Sequence, residues 1–236
     1  MTDDTFINGR GSQSNPKNKF LKAELDLQDT DFLDEAYYQE KPKLELFNEH
    51  PKKILSTYES PDVPGDYSVN PYQGCEHGCV YCYARESHQY WGFSAGLDFE
   101  TKIVVKKNAP ELLRETFRKK SYRPGTIMLS GNTDCYQPIE RKLEITRQLL
   151  KVMLEFRNPV GIITKNTLIG RDMAILQELA HRKLVHVTFS LTTLDESLRR
   201  VLEPRTASAE KKLKVMEAFA QAGIPTAVMV APVIPG

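Results

Sequence analysis

The residues best placed to do chemistry lie in one short stretch, Asn70-Pro71-Tyr72-Gln73-Gly74-Cys75-Glu76-His77-Gly78-Cys79-Val80-Tyr81-Cys82-Tyr83. Three of the chain's four cysteines, Cys75, Cys79 and Cys82, fall within eight residues there, spaced CxxxCxxC. Thiolates this close share one metal centre or stay free; disulfide pairing would leave one over, and the cytosol disfavours it. Soft sulfur ligands select zinc, copper(I) or iron–sulfur clusters. A structural zinc site wants four closed ligands. His77 or the distant Cys135 would have to complete it, and the chain has no second ligand pair. A 4Fe–4S cluster held by three cysteines instead leaves one iron open to a small molecule. Gly74 and Gly78 let the loop curl so that the sulfurs face one point.

Something must position that loop. From about residue 68 onward, short β-branched runs alternate with stretches of helical period. The runs are Ile127-Met128-Leu129, Val160-Gly161-Ile162-Ile163, Val185-His186-Val187-Thr188-Phe189 and Ala227-Val228-Met229-Val230. With a strand leading into Cys75, the count is five. Between them, Leu143, Leu149, Leu150, Met153 and Leu154 share one helix face, and Met173, Leu176, Leu179 and Ala180 a second. Leu213, Met216, Phe219 and Ala220 share a third, ended by Gly223 before Pro225. A further helix is expected from Pro110 to about Lys120. Such alternation predicts right-handed crossovers and a parallel sheet with helices outside. The chain stops at Val233-Ile234-Pro235-Gly236, just past the fifth strand, and reads as a fragment cut short there.

The 236 residues are 40% hydrophobic and 27% charged, and 32 Lys and Arg oppose 31 Asp and Glu, a net charge of +1. That balance lacks the excess of a committed nucleic-acid binder. Four cysteines in this length exclude a disulfide scaffold. No apolar run approaches the roughly 18 residues that span a bilayer. The acidic start Met1-Thr2-Asp3-Asp4 has no signal-peptide order, so the expected location is the cytoplasm. Residues 1–60, with 12 acidic and 8 basic side chains, read as a polar N-terminal extension, partly disordered or docked through Phe20, Leu21, Phe32, Leu33, Leu44 and Leu46. Residues 61–236 then form the core.

CxxxCxxC with Tyr81 before the last cysteine resembles the signature of radical S-adenosylmethionine (radical SAM) enzymes, over roughly residues 68–236. The resemblance implies a partial (β/α)6 barrel of TIM-like α/β type, truncated here after the fifth strand. It implies that Cys75, Cys79 and Cys82 hold a 4Fe–4S cluster whose open iron chelates S-adenosylmethionine. One electron then cleaves the sulfonium to a 5′-deoxyadenosyl radical, and Tyr81 lies against the adenine. The protein supplies binding, orientation and exclusion of side reactions, from loops at the C-terminal ends of the strands.

The strand ends supply further cofactor candidates. Gly131, Asn132, Thr133 and Asp134 end the second strand, where the family contacts the cofactor's amino group. Lys165 after the third strand suits the carboxylate as a point charge. Ser190 after the fourth suits the ribose or carboxylate, and Arg205, in the turn Glu203-Pro204-Arg205, the same region. Each has a plainer reading: an Asn/Asp turn, a solvated lysine, a helix cap served by Asp195, a surface Glu–Arg pair.

The wording Asn132-Thr133-Asp134-Cys135-Tyr136-Gln137-Pro138, with Glu203-Pro204-Arg205-Thr206, resembles the branch related to spore photoproduct lyase, and Asn8-Gly9-Arg10-Gly11-Ser12 a bacterial subgroup of uncharacterised members. In the lyase a cysteine near the second strand's end donates hydrogen. Cys135 is the one candidate for that role, but it follows the turn instead of preceding it, and a buried structural thiol is the favoured reading. Nucleic acid enters as a candidate substrate by this resemblance. Residues 102–123 carry eight Lys or Arg against Glu111 and Glu115, with Tyr90, Trp91 and Phe93 nearby to stack bases or shield the loop. A solvated barrel helix explains the same charges. The implied partner is an external one-electron donor such as a flavodoxin or ferredoxin. The rival from another class is a zinc-binding structural or interaction module.

Overall fold

The computed structural model describes residues 7–20, 43–57 and 65–234. Its strands are β1 (Glu45–Asn48), β2 (Ser56–Thr57), β3 (Tyr67–Val69), β4 (Tyr72–Gln73), β5 (Lys102–Val105), β6 (Ile127–Leu129), β7 (Val160–Thr164), β8 (Val185–Ser190) and β9 (Thr226–Met229). Its α-helices are α1 (Asp98–Thr101), α2 (Ala109–Arg118), α3 (Glu140–Leu143), α4 (Ile145–Glu155), α5 (Met173–His181), α6 (Glu196–Leu202) and α7 (Ala209–Gln221), with 3-10 turns at Tyr83–Trp91 and Thr167–Asp172.

The larger sheet has the order β2-β3-β6-β7-β8-β9. All its pairs are parallel except β2–β3. The five parallel strands are those the periodicity predicts, and the architecture is the expected α/β partial barrel. Register places Leu129, Ile162 and Val187 side by side, and Thr164 beside Phe189. Because side chains alternate along a strand, Val185, Val187 and Phe189 face the helices, leaving Ser190 on the other, concave side. Leu149, Leu150, Met153, Leu176, Leu179 and Phe219 are fully buried against the helix-side face. Each such side chain stabilises the fold by about 1.5–3 kcal/mol.

One helix face differs from the expected one. On α7 the inward stripe is Lys212, Val215, Met216 and Phe219, whereas Leu213 is 46% exposed and Ala220 is also exposed. The stripe is rotated because Lys212 finds buried polar partners, which outweigh the apolar preference of its neighbour. The caps follow the sequence: Ser208 accepts from Lys211 N–H, and Asp195 accepts from Ser197 and Leu198 N–H. Gly223 takes the left-handed φ of +72° after α7.

A second sheet, β1-β5-β4, was not legible as strands, since β5 lies inside the basic stretch. β1 and β2 pair with β5 and β3, so residues on either side of position 50 join the sheets. The expected boundary near residue 60 lies outside the described residues, as do Leu21, Phe32 and Leu33. Phe20 stacks on Tyr90 with ring centroids 4.8 Å apart, and Leu44 and Leu46 are exposed. Phe93 packs on Phe47 and His88 instead of over the cysteine loop, and Tyr90 is exposed.

His88 is fully buried between the rings of Phe93 and Phe99, and neither ring nitrogen has a hydrogen-bond partner at good geometry. Burial pushes its imidazole down to about 4, with the Asp98 carboxylate offsetting only part of that effect. A group whose folded pKa lies below its unfolded value of 6.5 binds more protons when unfolded. Stability from neutral His88 is therefore complete above pH 6.5 and is lost as pH falls towards 4, a span of about 3 kcal/mol. Thermal melts of wild type and His88→Phe from pH 7 to 4 check this. The variant is expected to lose part of the acid-side drop in Tm, and parallel curves would contradict the assignment.

Candidate active site

The cysteine loop follows β3 and β4 and is held by main-chain and side-chain bonds on three sides. Gly74 has φ +79°, and a Cβ there would meet the Lys102 and Phe99 carbonyl oxygens at 3.0 Å. That close approach lets Cys75 N–H donate to Phe99 O at 2.8 Å. From beyond β6, Gln137 accepts from Glu76 N–H at 3.0 Å and donates to Gly74 O at 3.1 Å. Glu76 in turn accepts from Ile139 N–H at 2.7 Å. His77 Nδ1 stands 3.3 Å from the Asp134 carboxylate. From the α6 side, Val80 N–H donates to Leu202 O at 3.0 Å and Arg205 N–H to His77 O at 3.2 Å. Arg85 grips Cys79 O through Nε at 3.3 Å and Nη2 at 3.0 Å.

Cys75 and Cys79 are each 7% exposed, Cys82 is half-buried, and all are free thiols. Burial pushes all three thiols up. Cys79 rises to about 12 with Lys165 opposing the shift, and Cys75 rises further through Asp134 and the other two sulfurs. Arg85 and Lys165 oppose the rise at Cys82. Among the described residues no three His, Cys, Asp or Glu side chains converge as a ready metal cage. The donor set nevertheless fits an iron–sulfur cluster: three soft ligands on one buried loop, electrostatically coupled, with two cations beside them.

Beside the loop lies a network of charged and hydroxyl groups. Lys165 Nζ donates to Ser190 Oγ at 2.6 Å and to Glu203 Oε1 at 2.9 Å, and stands 5.4 Å from the Tyr81 ring centroid. Tyr81 and Thr192 hydroxyls both donate to the same Glu203 oxygen. Lys212 Nζ donates to Ser190 O at 3.0 Å and pairs with Glu203 Oε2 at 3.5 Å. Glu203 and Lys212 are each 1% exposed. Burial pushes the Glu203 carboxyl up, but Lys165 and the Thr192 and Tyr81 hydroxyls outweigh it and hold the group at about 2. Burial lowers the Lys165 pKa, and Glu203 and Cys79 more than reverse this, so Lys165 stays charged. Tyr81, Lys165 and Ser190 thus meet in one place.

The other sequence candidates border the loop and this network and are bonded to neighbouring groups. Asn132 spends its amide on Gln73 and Ser87 at 2.8 and 3.2 Å, and Thr133 donates to Tyr72 O. Gly131 O accepts from Tyr83. Asp134 ties the ends of two strands together, accepting from Thr164 Oγ1, Lys165 N–H and Tyr136 N–H. Burial pushes its carboxyl up, but His77 and these donors hold it below the ordinary range. Arg205 faces Glu76 at 3.3 Å, on a cavity of about 350 Å³ that Arg141, Arg199 and Lys211 also line. Cys135 is fully buried in the main core, apart from the small cluster containing Cys75 and Cys82.

Glu203, for which a surface Glu–Arg pair was the plainer of the sequence readings, and Lys212, placed on no face, are the buried members of this network that the sequence hides. The proline after Glu203 and the position of Lys212 three residues before Val215 were the available signals.

Comparisons with known proteins agree with this geometry. The family model of the radical SAM superfamily matches residues 69–236. An uncharacterised protein of Mycobacterium tuberculosis is 39% identical over 173 residues, covering 73% of this chain and 51% of the relative. Another, of Methanocaldococcus jannaschii, is 28% identical, covering 82% and 69%. Spore photoproduct lyase complexed with dinucleoside spore photoproduct has a similar fold, with TM-score 0.57 and 18% identity, covering 81% of this chain and 52% of that one. A variant of the same lyase with bound S-adenosylmethionine and dinucleoside gives 0.56 at 18% identity, covering 81% and 52%. The chain spans about half the length of the mycobacterial relatives and of the lyase. Matched by the family over more than two thirds of its length, with the CxxxCxxC loop at the end of the first parallel strand, the chain belongs to the radical SAM superfamily.

Proposed function

We propose that this chain carries the cofactor-binding core of a radical SAM enzyme, with Cys75, Cys79 and Cys82 as the ligands of a 4Fe–4S cluster. The carrying observation is the meeting of the three-thiol loop with the Tyr81–Lys165–Ser190–Glu203 network at one rim of the sheet. When bound, the cluster supplies the electron that splits the sulfonium of S-adenosylmethionine to a 5′-deoxyadenosyl radical. Lys165, kept charged by Glu203, binds the cofactor carboxylate, and Ser190 Oγ adds a hydrogen bond to the same group. Tyr81 offers its ring to the adenine. Burial of Cys75 and Cys79 keeps water from the reacting centre. The electron comes from an external one-electron donor such as a flavodoxin or ferredoxin, and the cytoplasm is the compartment that keeps these thiols reduced. Among the described residues no helix is long and apolar enough to cross a membrane.

Nucleic acid is the substrate class suggested by the dinucleoside bound to the fold neighbour. The basic stretch at 102–123 does not add to it. Lys102, Lys106 and Arg114 pair with Asp98, Glu49 and Glu155. Arg118 to Arg123 precede β6, at the strand ends opposite the cysteine loop.

Anaerobic purification and reconstitution test the cofactor reading. A brown protein, bleached by dithionite and releasing 5′-deoxyadenosine from S-adenosylmethionine, is expected. A colourless protein holding one tight zinc would establish the rival structural module instead.

A further inference from the structure

The N-terminal segment passes against the cysteine loop at Gly78 and is hydrogen-bonded to the residues that back it. Gly11 N–H and Ser12 N–H donate to the two oxygens of Glu100 at 3.2 and 2.8 Å, and Arg10 donates to the Glu100 carbonyl at 3.0 Å. Glu100 is fully buried. Its carboxylate also binds Arg85 Nη2 at 2.6 Å, the nitrogen that holds Cys79 O. An unbroken chain of charge-assisted bonds therefore runs from the arm through Glu100 and Arg85 to a candidate ligand's backbone.

Steric fit reinforces the bonding. A Cβ on Gly11 would stand 1.8 Å from Gly78 O and 2.8 Å from Gly78 C, inside the cysteine loop itself. Carbonyl backbone cannot swing aside as a side chain can, so only glycine permits this approach. A second close approach lies further along, where a Cβ on Gly96 would stand 2.0 Å from Ser14 O. Asn15 exchanges bonds with Asp98, through its Oδ1 from Asp98 N–H at 2.8 Å and its Nδ2 to Oδ1 at 2.9 Å. Asn18 Nδ2 reaches Gln89 O and Phe93 O at 3.1 and 2.9 Å. The polar composition that marks this segment as an extension is the means by which it docks. A cavity of about 470 Å³ remains between arm and loop, bordered by Gly11, Ser12, Val80, Cys82 and Arg85.

We propose that residues 10–18 are a clamp for the cysteine loop, in which Gly11, Glu100 and Arg85 are positioning residues that set how Cys79 and Cys82 are presented to a cluster. The proposal rests on the cofactor reading above, yet its first readout needs no metal. Loosening the clamp raises access to the two thiols nearest the arm and leaves the core thiol Cys135 unchanged. Global destabilisation would expose Cys135 as well.

The test compares wild type, Gly11→Ala, Arg85→Lys and, as a control at an exposed position, Asn8→Ala. In metal-free protein, iodoacetamide labelling is followed at each cysteine by mass spectrometry. Gly11→Ala and Arg85→Lys are expected to label at Cys79 and Cys82 about tenfold faster or more, the factor matching one lost charge-assisted hydrogen bond. Cys135 is expected to label at the wild-type rate in all four proteins. After anaerobic reconstitution, the same two variants show an altered electron paramagnetic resonance signal of the reduced cluster and faster iron loss in air. Trypsin cleavage at Arg10 or Lys17 reports whether Gly11→Ala has displaced the arm. A displaced arm with unchanged labelling and an unchanged signal overturns the clamp. Equal acceleration at all cysteines, Cys135 included, overturns it too. Failure of wild type and the Asn8 variant to take up iron would count against the cofactor reading alone, while labelling still decides the clamp.

Discussion

Cys79→Ala is expected to reduce bound iron to background and to abolish reductive cleavage of S-adenosylmethionine. Three cysteines are the smallest set that holds a 4Fe–4S cluster with one iron open, so no ligand is spare. His77 cannot substitute, because its ring is engaged between Asp134 and Asn166. The fold itself is expected to survive: the bonds that seat the loop at this residue, from Arg85, go to the Cys79 carbonyl and not to its sulfur. Cys75→Ala and Cys82→Ala share the outcome. Cys135→Ala is the contrast, expected to retain iron while costing about 1 kcal/mol for the small void left in the core. Iron per chain after anaerobic reconstitution, read beside thermal melts, distinguishes these cases. Retention of full iron by Cys79→Ala would remove it from the ligand set.

The second large effect belongs to Glu203→Ala. It leaves Lys212, 1% exposed, and Lys165 without their shared counter-ion. Removing one partner of a buried pair costs about 3–5 kcal/mol, because the remaining charge stays desolvated. A lower midpoint in denaturant with unchanged slope is expected. Adding Lys212→Met is expected to recover part of the loss, since the stranded charge goes with it. The wild-type contribution has a pH signature of its own. Glu203 has a folded pKa of about 2 against 4.5 in the unfolded chain. Its stabilisation is therefore present above pH 4.5 and is lost as pH falls towards 2. A midpoint unmoved by Glu203→Ala would mean that the network carries no stability.

The parts of this molecule that were legible in the sequence are those that repeat a simple period. The strands at Ile127, Val160 and Val185 each bury one or both faces, so their apolar runs stand out, and the strand at Thr226 stands out by the same β-branched, apolar wording although its Val228 and Met229 are exposed. Caps at Asp195 and Ser208 and the stop at Gly223 follow from local chemistry alone. The cysteine loop was legible because sulfur at fixed spacing has few uses. Lys212 and Glu203 were hidden because charged residues are rarely buried unless paired, and their partners lie on other elements. Ile103-Val104-Val105 was hidden among lysines, although its β-branched run forms β5. Asn132 and Asp134, expected from sequence to face a cofactor, also stitch strand ends to the loop and to each other, a structural use that their residue types alone do not announce.

The way the cysteine loop is held also fixes an order of events during synthesis. Its supports come largely from later in the chain: Gln137 and Asp134 after β6, Asn166 after β7, Leu202 at the end of α6 and Arg205 beyond it. Even β3, which leads into the loop, meets its parallel neighbour only after everything from Asn70 to Thr126 has been made. Domains emerge from the ribosome amino end first, at about 5–20 residues per second. Cys75, Cys79 and Cys82 therefore precede their supports by several seconds of synthesis, and the loop that carries them reaches its final frame only once Arg205 has left the ribosome.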